Sequence, residues 1–375
     1  MKILVTNFHP GEGGGHDTYI RSLCLLDSPH VSVTVAAPPT SHLYQSLVAE
    51  GYEKVFACDF PAKLQKEPAS VIANMNLFRR IVRRVQPDIV HANGGADLFI
   101  DLWSHPLGRR YKVIRTHHAI KTLRNDVYHR WIYKRCISAN IYVSETAMAC
   151  AQSGGITPDN SVVMANGVDL VRYTPQPRNE ELRASLGIAP GCVCFGSNAG
   201  LSYYKRVDVL IKAASMLKGD RDRFHIVVVG DPRRGEELEA LAKECGLTNF
   251  TYAGLYRDVR PFVAMLDVGF ILSDSIETAS YGAREMLAMG KPLISSTFSG
   301  LVENVVDGAN GFLATPGSVE ETARAMKRFL EMPESELAMF SRKARIHAET
   351  RFDLNRQLED HLDVYEKVAA GHTSV

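Results

Sequence analysis

At 375 residues the chain is too long for one ordinary hydrophobic core and points to two domains. A hydrophobic fraction of 45%, a charged fraction of 23% and a formal charge of +1 describe a globular protein with no global argument for nucleic-acid binding. The longest apolar runs, such as 31–37 and 226–229, are strand-length and exclude a membrane-spanning helix.

Met1-Lys2 leads directly into an apolar strand without the pattern of a signal peptide, so a cytoplasmic chain is expected. Strands are expected at 2–6, 31–36, 55–57, 88–91, 112–115, 139–143 and 162–164. Helices are expected at 17–26, 41–50, 68–85, 96–103, 125–135 and 144–151. Strand and helix in alternation with short connections is the signature of a parallel sheet covered on both faces, a Rossmann-like domain. Residues 171–190 turn polar and carry Pro175, Pro177 and Pro190, which reads as a hinge. The alternation then restarts with strands at 192–196, 225–229 and 249–253 and helices at 208–217, 235–245 and 259–266. It ends in helices at 319–330 and between 335 and 369. The fold class is therefore α/β, two doubly wound domains facing a cleft, with ligands expected at the carboxyl edges of the sheets. The seven cysteines, Cys24, Cys58, Cys136, Cys150, Cys192, Cys194 and Cys245, are odd in number and scattered in apolar contexts. That pattern suits reduced core thiols better than a disulfide framework or a zinc site.

Chemistry concentrates in strand-end loops. The first, NFHPGEGGGH at 7–16, has three consecutive glycines that let the backbone approach a ligand and adopt positive φ. It is not a clean dinucleotide fingerprint, and a turn without a ligand is the bland alternative. The segment IRTHHAIKTLRN at 114–125 offers His117, His118, Lys121 and Arg124 at a strand end. Adjacent histidines point in opposite directions on extended chain, so one faces the site and the other is as well explained by a structural cap. In GSNAGLSYYKRVD, 196–208, Lys205 and Arg206 stand just before a helix and can neutralise a phosphate; a solvated basic pair is the alternative. Gly230-Asp231 is another strand-end turn, suited to a nucleotide base. The stretch FILSDSIETASYGAREMLAMGKPLISS, 270–296, reads as strand, polar loop, helix over 281–289 stopped by Gly290, and a second strand after Pro292. A loop feeding a helix N-terminus makes an anion-binding corner. Glu277 on the loop and Glu285 in the helix lie eight residues apart, able to reach opposite ends of one nucleotide-linked ligand.

Taken in order, these motifs resemble the GT-B glycosyltransferases, specifically the retaining family 4 group. The resemblance runs through the glycines at 13–15 with His16, DIVHANG at 88–94, Thr116-x-His118, Val143-Ser144-Glu145, NGVD at 166–169, Lys205, E-x7-E at Glu277 and Glu285, the GKP turn, and GLVENVVDGANGFL at 300–313. It implies that Glu285 holds the donor ribose and Glu277 the sugar end. Thr278, Ala279 and Ser280 would form the loop that meets the diphosphate, and Lys205 would stabilise the departing diphosphate. Gly14 and Gly15 would approach the phosphates, and His118 would stand beside donor sugar and acceptor. Arg206 and Gly230 join the donor set, and His16, His117, Lys121 and Arg124 the acceptor set. No metal or other cofactor is expected, because lysine, arginine and a helix N-terminus carry the needed charge.

Two positions depart from the family pattern. Gly200 stands where members commonly carry an arginine, leaving Arg206 or Arg124 to supply that charge, and Thr278-Ala279-Ser280 replaces a loop usually built from Gly-Phe-Gly. The expected division is 1–172 for an acceptor domain, 173–190 for a linker, 191–352 for a donor domain and 353–375 for a C-terminal helix able to return to the N-terminal domain. Function follows as a retaining transfer from a nucleotide-diphosphate sugar to a hydroxyl of a glycan or lipid-linked acceptor, in cell-surface polysaccharide or lipopolysaccharide synthesis. Arg79/Arg83 and Arg80/Arg84, at i and i+4, share a helix face that suits an anionic membrane, with solvated arginines as the alternative. Rival readings are a non-catalytic sugar-nucleotide binder of the same fold, an epimerase, a phosphorylase and a dinucleotide oxidoreductase.

Overall fold

The structure, a computed structural model, describes residues 1–11, 13–63, 65–105 and 108–372. The chain divides into two compact units, Met1–Ala165 with the stretch from Asn355 onward, and Asn166–Leu354.

In the first unit β1 (Lys2–Thr6), α1 (Gly15–Cys24), β2 (Ser32–Ala37), α2 (His42–Ala49), β3 (Val55–Ala57), α3 (Pro68–Val85), β4 (Ile89–Ala92), α4 (Gly95–Ser104), β5 (Lys112–His117), α5 (Val127–Trp131), β6 (Ala139–Tyr142), α6 (Glu145–Gln152) and β7 (Ser161–Val163) follow one another. Their strands form a seven-stranded parallel sheet in the order β3-β2-β1-β4-β5-β6-β7. Strands buried on both faces explain the continuous apolar runs: Ile3, Leu4 and Val5 are wholly inaccessible, with Leu4 packed into one face and Ile3 and Val5 into the other. The helix expected over 125–135 is an α-helix only as far as Trp131; Ile132–Cys136 widens into a π-helical turn that points Ile132, Tyr133 and Cys136 inward.

The second unit holds α7 (Glu180–Ser185), β8 (Val193–Ser197), α8 (Val207–Met216), β9 (Phe224–Val228), α9 (Pro232–Glu244), β10 (Phe250–Tyr252), α10 (Arg260–Met265), β11 (Val268–Ile271), α11 (Tyr281–Ala288), β12 (Leu293–Ser296), β13 (Gly311–Ala314), α12 (Val319–Glu331) and α13 (Glu334–Arg351). Six parallel strands are ordered β10-β9-β8-β11-β12-β13. The segment read as a hinge is instead partly built into this unit. Asn179 caps α7, and Arg183, 2% exposed, donates to the Asp267 carboxylate at 2.9 Å and the Met265 carbonyl at 3.0 Å. Charges that look like a solvated linker in sequence are thus fixed by an aspartate 84 residues on. The chain closes with α14 (Leu354–Ala369), whose Val364, Tyr365 and Val368 are buried in the core of the first unit.

Both sheets reverse their strand order once, between β1 and β4 and between β8 and β11. At such a switch point the connections leave in opposite directions and open a crevice beyond the strand ends. The loops after β1 and β4 hold Gly13, Gly14 and Asn93 in the first unit, and those after β8 and β11 hold Lys205 and Glu277 in the second, so within each unit the strand order gathers its own candidate residues.

Candidate active site

In the second unit, Glu285 sits on α11 at the β8 edge. Asn198, just past β8, donates to its carboxylate at 2.6 Å, and the Tyr173 hydroxyl also hydrogen-bonds it. Gly282 permits this approach: a Cβ there would lie 2.9 Å from Asn198 Oδ1 and 3.1 Å from Ala199. Burial pushes the Glu285 carboxyl up to about 7, against the stabilising effect of both hydrogen bonds. Asn198 Oδ1 and the Tyr281 hydroxyl, buried nearby, have no hydrogen-bond partner among the described residues.

Glu277 accepts from Lys205 Nζ in a short ion pair and from Ser273 Oγ at 3.1 Å. Arg206 pairs with Asp208 at 3.0 Å and with Asp274. Two carboxylates therefore already hold the guanidinium proposed to replace the arginine missing at Gly200. The loop between these groups has unusual backbone: Ile276 has φ +66° and Ser280 φ +56°, a region that favours glycine. Ser280 still caps α11, and Thr278, Ala279 and Ser280 are buried. Asn304 holds the loop from below by donating to the Ala279 carbonyl at 3.2 Å, and Asn310 in turn donates to the Asn304 carbonyl at 3.2 Å. The motif at 300–313 thus acts as a brace. Buried Arg284 joins it to the NGVD turn, donating to the Asn166 carbonyl and to Asn304 Oδ1, with its guanidinium 4.1 Å from the centre of the Phe352 ring. Gly230, at φ +148°, lies against Leu201.

In the first unit, Asp97 ties the switch-point loops together, accepting from Thr6 Oγ1 at 2.6 Å and the Asn93 amide at 2.7 Å. Gly94 is required because the Phe8 ring occupies the place of its Cβ, 2.1 Å away. Gly14 caps α1 at φ +124° and Gly15 begins that helix. Asn93 donates its amide to the Thr6 carbonyl at 3.0 Å, which turns its oxygen toward His118. His118 Nε2 must then donate across 3.0 Å, fixing the tautomer with Nδ1 unprotonated.

Below it runs a buried chain of neutral groups. His361 Nδ1 donates to the Gln357 carbonyl at 2.6 Å, so its Nε2 accepts from Tyr19 at 2.7 Å. Tyr19 accepts from Thr116 at 3.0 Å, Thr116 from His91 Nε2 at 2.6 Å, and His91 Nδ1 from Tyr365 at 2.6 Å. Burial holds all these imidazoles below their usual range, His16 and His361 at about 4 and His117 at about 3, with His91 and His118 lowered too.

Of the expected acceptor residues, His16, Lys121 and Arg124 line a cavity of about 430 Å³ with Asn93, Arg115 and His118. His117 reaches the wall of the same cavity but is fixed in the core, stacked on Tyr142 at 4.5 Å and bonded to Asn140 at 3.0 Å. No carboxylate lines this cavity among the described residues. Asp97, Asn198 and Tyr173 were missed by sequence reasoning. Asp97 follows DIVHANG by three residues, whereas Tyr173 lies in the supposed hinge and carries no signal.

Two doubly wound parallel sheets with polar switch-point loops define the GT-B class. A glycosyltransferase crystal structure from Rickettsia africae aligns over 99% of this chain and 98% of its own at TM-score 0.85 and 20% identity. The structure of Anabaena HepE in complex with UDP aligns over 98% and 100% at TM-score 0.82 and 21% identity. Two family models match, one described as Glycosyltransferase Family 4 over residues 13–172 and one as Glycosyl transferases group 1 over 178–347, and the chain belongs to this glycosyltransferase family. Curated relatives include D-inositol 3-phosphate glycosyltransferases of Rhodococcus erythropolis, 29% identical over 62% of this chain, and of Corynebacterium aurimucosum, 26% identical over 76%. The alignments span 54% of the first relative's length and 72% of the second's.

Proposed function

We propose that this chain is a retaining glycosyltransferase that moves a hexosyl unit from a nucleotide-diphosphate sugar to a hydroxyl of a glycan or lipid-linked acceptor. The observation that carries the reading is the arrangement at the β8/β11 switch point: Glu285 held by Asn198 and Tyr173, and Glu277 paired with Lys205. Ionised Glu285 accepts from two vicinal ribose hydroxyls. Lys205 exchanges Glu277 for the diphosphate and stabilises the charge that develops on the leaving group. Glu277, released, receives the sugar hydroxyls at the other end. Thr278, Ala279, Ser280, Gly230 and Arg206 complete the donor set, with Arg206 ordering the loop through Asp274. Gly14 and Gly15 serve the donor phosphates, His16, His117, Lys121 and Arg124 serve the acceptor side, and neutral His118 receives a hydroxyl. The charge supplied by these groups makes a metal unnecessary, and turnover is expected to survive chelation.

The names of similar proteins support this substrate class. HepE has been crystallised with UDP-glucose, and other similar proteins are named for lipopolysaccharide core biosynthesis and for a lipopolysaccharide outer core galactosyltransferase. A role in cell-surface polysaccharide or lipopolysaccharide synthesis, with possible substrates on a membrane, belongs to the same proposal; among the described residues no helix is long and apolar enough to cross one.

A second reading, a sugar-nucleotide binder without turnover, is favoured by Gly200, by the glycine-free loop and by the neutralised Lys205. Thermal stabilisation and slow hydrolysis across a panel of nucleotide sugars decide between them. Binding with hydrolysis is the expected result, binding without hydrolysis supports the binder, and no stabilisation by any nucleotide sugar overturns both.

A further inference from the structure

Of the four α3 arginines, Arg80 and Arg83 are exposed, whereas Arg79 and Arg84 are engaged within the unit. Arg79 donates to the Ser104 carbonyl at 2.6 Å and to Asn76 at 2.8 Å, and Arg84 stacks 5.2 Å from the centre of the Phe56 ring. Another surface of the first unit has the stronger chemistry. The chain has only two tryptophans, Trp103 and Trp131, and both are exposed, by 46% and 54%. Trp103 ends α4 and donates its indole N–H to the Tyr128 hydroxyl at 3.1 Å, which brings α4 and α5 together. Val127, 86% exposed, and Trp131 lie four residues apart on α5 and so share a face. Around them Lys121, Arg124, Arg130, Lys134 and Arg135 are all exposed. The one carboxylate within 121–135, Asp126, is occupied in capping α5 and pairing with His129. The π-helical turn after Trp131 contributes to this surface by sending Ile132, Tyr133 and Cys136 into the core while Lys134 and Arg135 stay outside.

We infer that this aromatic and basic surface is a seat on an anionic lipid bilayer. Indole and phenol rings prefer the boundary between headgroups and acyl chains, because each pairs an apolar body with one hydrogen-bonding group. Lysine and arginine add attraction to anionic headgroups, about 1 kcal/mol for each residue near the surface. The seat is continuous with the cavity described above: Phe99, Lys121, Arg124 and Tyr128 line it, and Phe99 packs on Trp103 with ring centres 6.3 Å apart. An acceptor whose head enters that cavity can therefore keep its apolar tail in the bilayer. This deepens the transferase reading on its acceptor side, and the lipid binding itself can be measured without turnover.

The test uses the full chain with phosphatidylcholine vesicles, with and without phosphatidylglycerol. Because both tryptophans belong to the seat, intrinsic fluorescence reports on it directly. A blue shift and co-sedimentation are expected with anionic vesicles at low salt, fading as salt screens the headgroups. Trp103→Ser with Trp131→Ser should weaken sedimentation about tenfold or more, while melting temperature and donor hydrolysis without vesicles stay unchanged. Lys134→Glu with Arg135→Glu should weaken it comparably and reduce the salt dependence, which keeps the test decisive if the tryptophan variant is poorly folded. Absence of wild-type binding at low salt, binding as tight as wild type in both variants, or a blue shift that follows protein concentration without vesicles would each overturn the proposal, the last by assigning the surface to a second copy of the chain. A wild-type chain that hydrolyses donor but binds no vesicles would sink the seat alone; one that binds anionic vesicles but neither binds nor hydrolyses any nucleotide sugar would sink the transferase reading alone.

Discussion

The two units repeat one topology, yet their switch points are furnished in opposite ways. In the first, buried imidazoles and phenols held neutral are joined by hydrogen bonds whose donor and acceptor directions are fixed from Tyr365 through to Gln357, beside the buried carboxylate of Asp97. In the second, charge is retained and balanced: Lys205 against Glu277, Arg206 against Asp208 and Asp274. Neutral, oriented groups suit recognition of hydroxyls, since they offer direction without a large desolvation penalty. Paired charges suit a phosphate-bearing ligand, which can replace the carboxylate in the pair. The same fold thus supplies two kinds of site, and the difference lies in the side chains its strands, helices and loops carry.

The largest expected effect separates the units by acid. His117 and His361 have folded-state values near 3 and 4, below the unfolded value of 6.5. The unfolded chain therefore binds more protons between about pH 4 and 6.5, and stability falls as pH drops through that window. At pH 5 each of these histidines should remove about 2 kcal/mol. Glu285 acts with the opposite sign: its folded value near 7 exceeds the unfolded 4.5, so acidification through that window favours the folded second unit. Asp101 of the first unit, raised to about 6 by burial, and His225 of the second, lowered to about 4, each offset part of the contrast, while His16, His91 and His118 of the first unit are lowered as well and add to it. Calorimetry of the full chain should show two transitions that separate as pH is lowered from 7 to about 5, the first unit melting earlier. Transitions that move together would remove the electrostatic contrast.

Next in size is Lys205→Ala, expected to lower kcat by about 10²–10³-fold, the range for loss of one group facing developing charge. An unchanged kcat would remove Lys205 from the chemistry. Glu285→Gln comes third and has two readouts. Donor KM should rise sharply, because the amide is a poorer acceptor for two hydroxyls. At pH 8 the variant should also be more stable than wild type, by at most about 3 kcal/mol, because the buried charge is gone; at pH 4 the gain should vanish. Stabilisation that is the same at both pH values would show that Glu285 is not the group raised by burial.

Much of this contrast was legible in the sequence, for physical reasons. Parallel strands buried on both faces leave unbroken apolar runs, so the order of strands and the loops that follow them could be placed. Glu277, Glu285 and Lys205 could be singled out as candidates because they stand in, or in the helix just after, polar loops that follow apolar strands. What could not be read depends on contacts distant along the chain. His361 meets Tyr19 across 342 residues and Tyr365 meets His91 across 274, and nothing local marks α14 as the source of buried hydrogen-bonding groups for α1 and β4. Tyr173 and Arg183 were hidden in a segment whose prolines and charges imitate a hinge. The exposed pair Trp103 and Trp131 was equally silent, because helical spacing over 125–135 does not reveal where α5 gives way to a π-helical turn.

The smallest expected effect tests whether the second site is strained as well as charged. Ile276 is 79% exposed and gains little from packing, yet this β-branched residue is held at φ +66°. The Glu277 amide donates to the Ser275 carbonyl at 2.7 Å, closing a three-residue turn around it, a strained arrangement for a residue with a side chain. The left-handed conformation costs about 1–2 kcal/mol for such a residue, whereas glycine would lose about 0.5–1 kcal/mol through its extra freedom in the unfolded chain. Ile276→Gly should therefore stabilise the second unit by up to about 1 kcal/mol. If the turn aims Glu277, the same change should weaken transfer while raising the melting temperature. A fall in stability would remove the strain, leaving charge pairing as the sole difference between the two switch points.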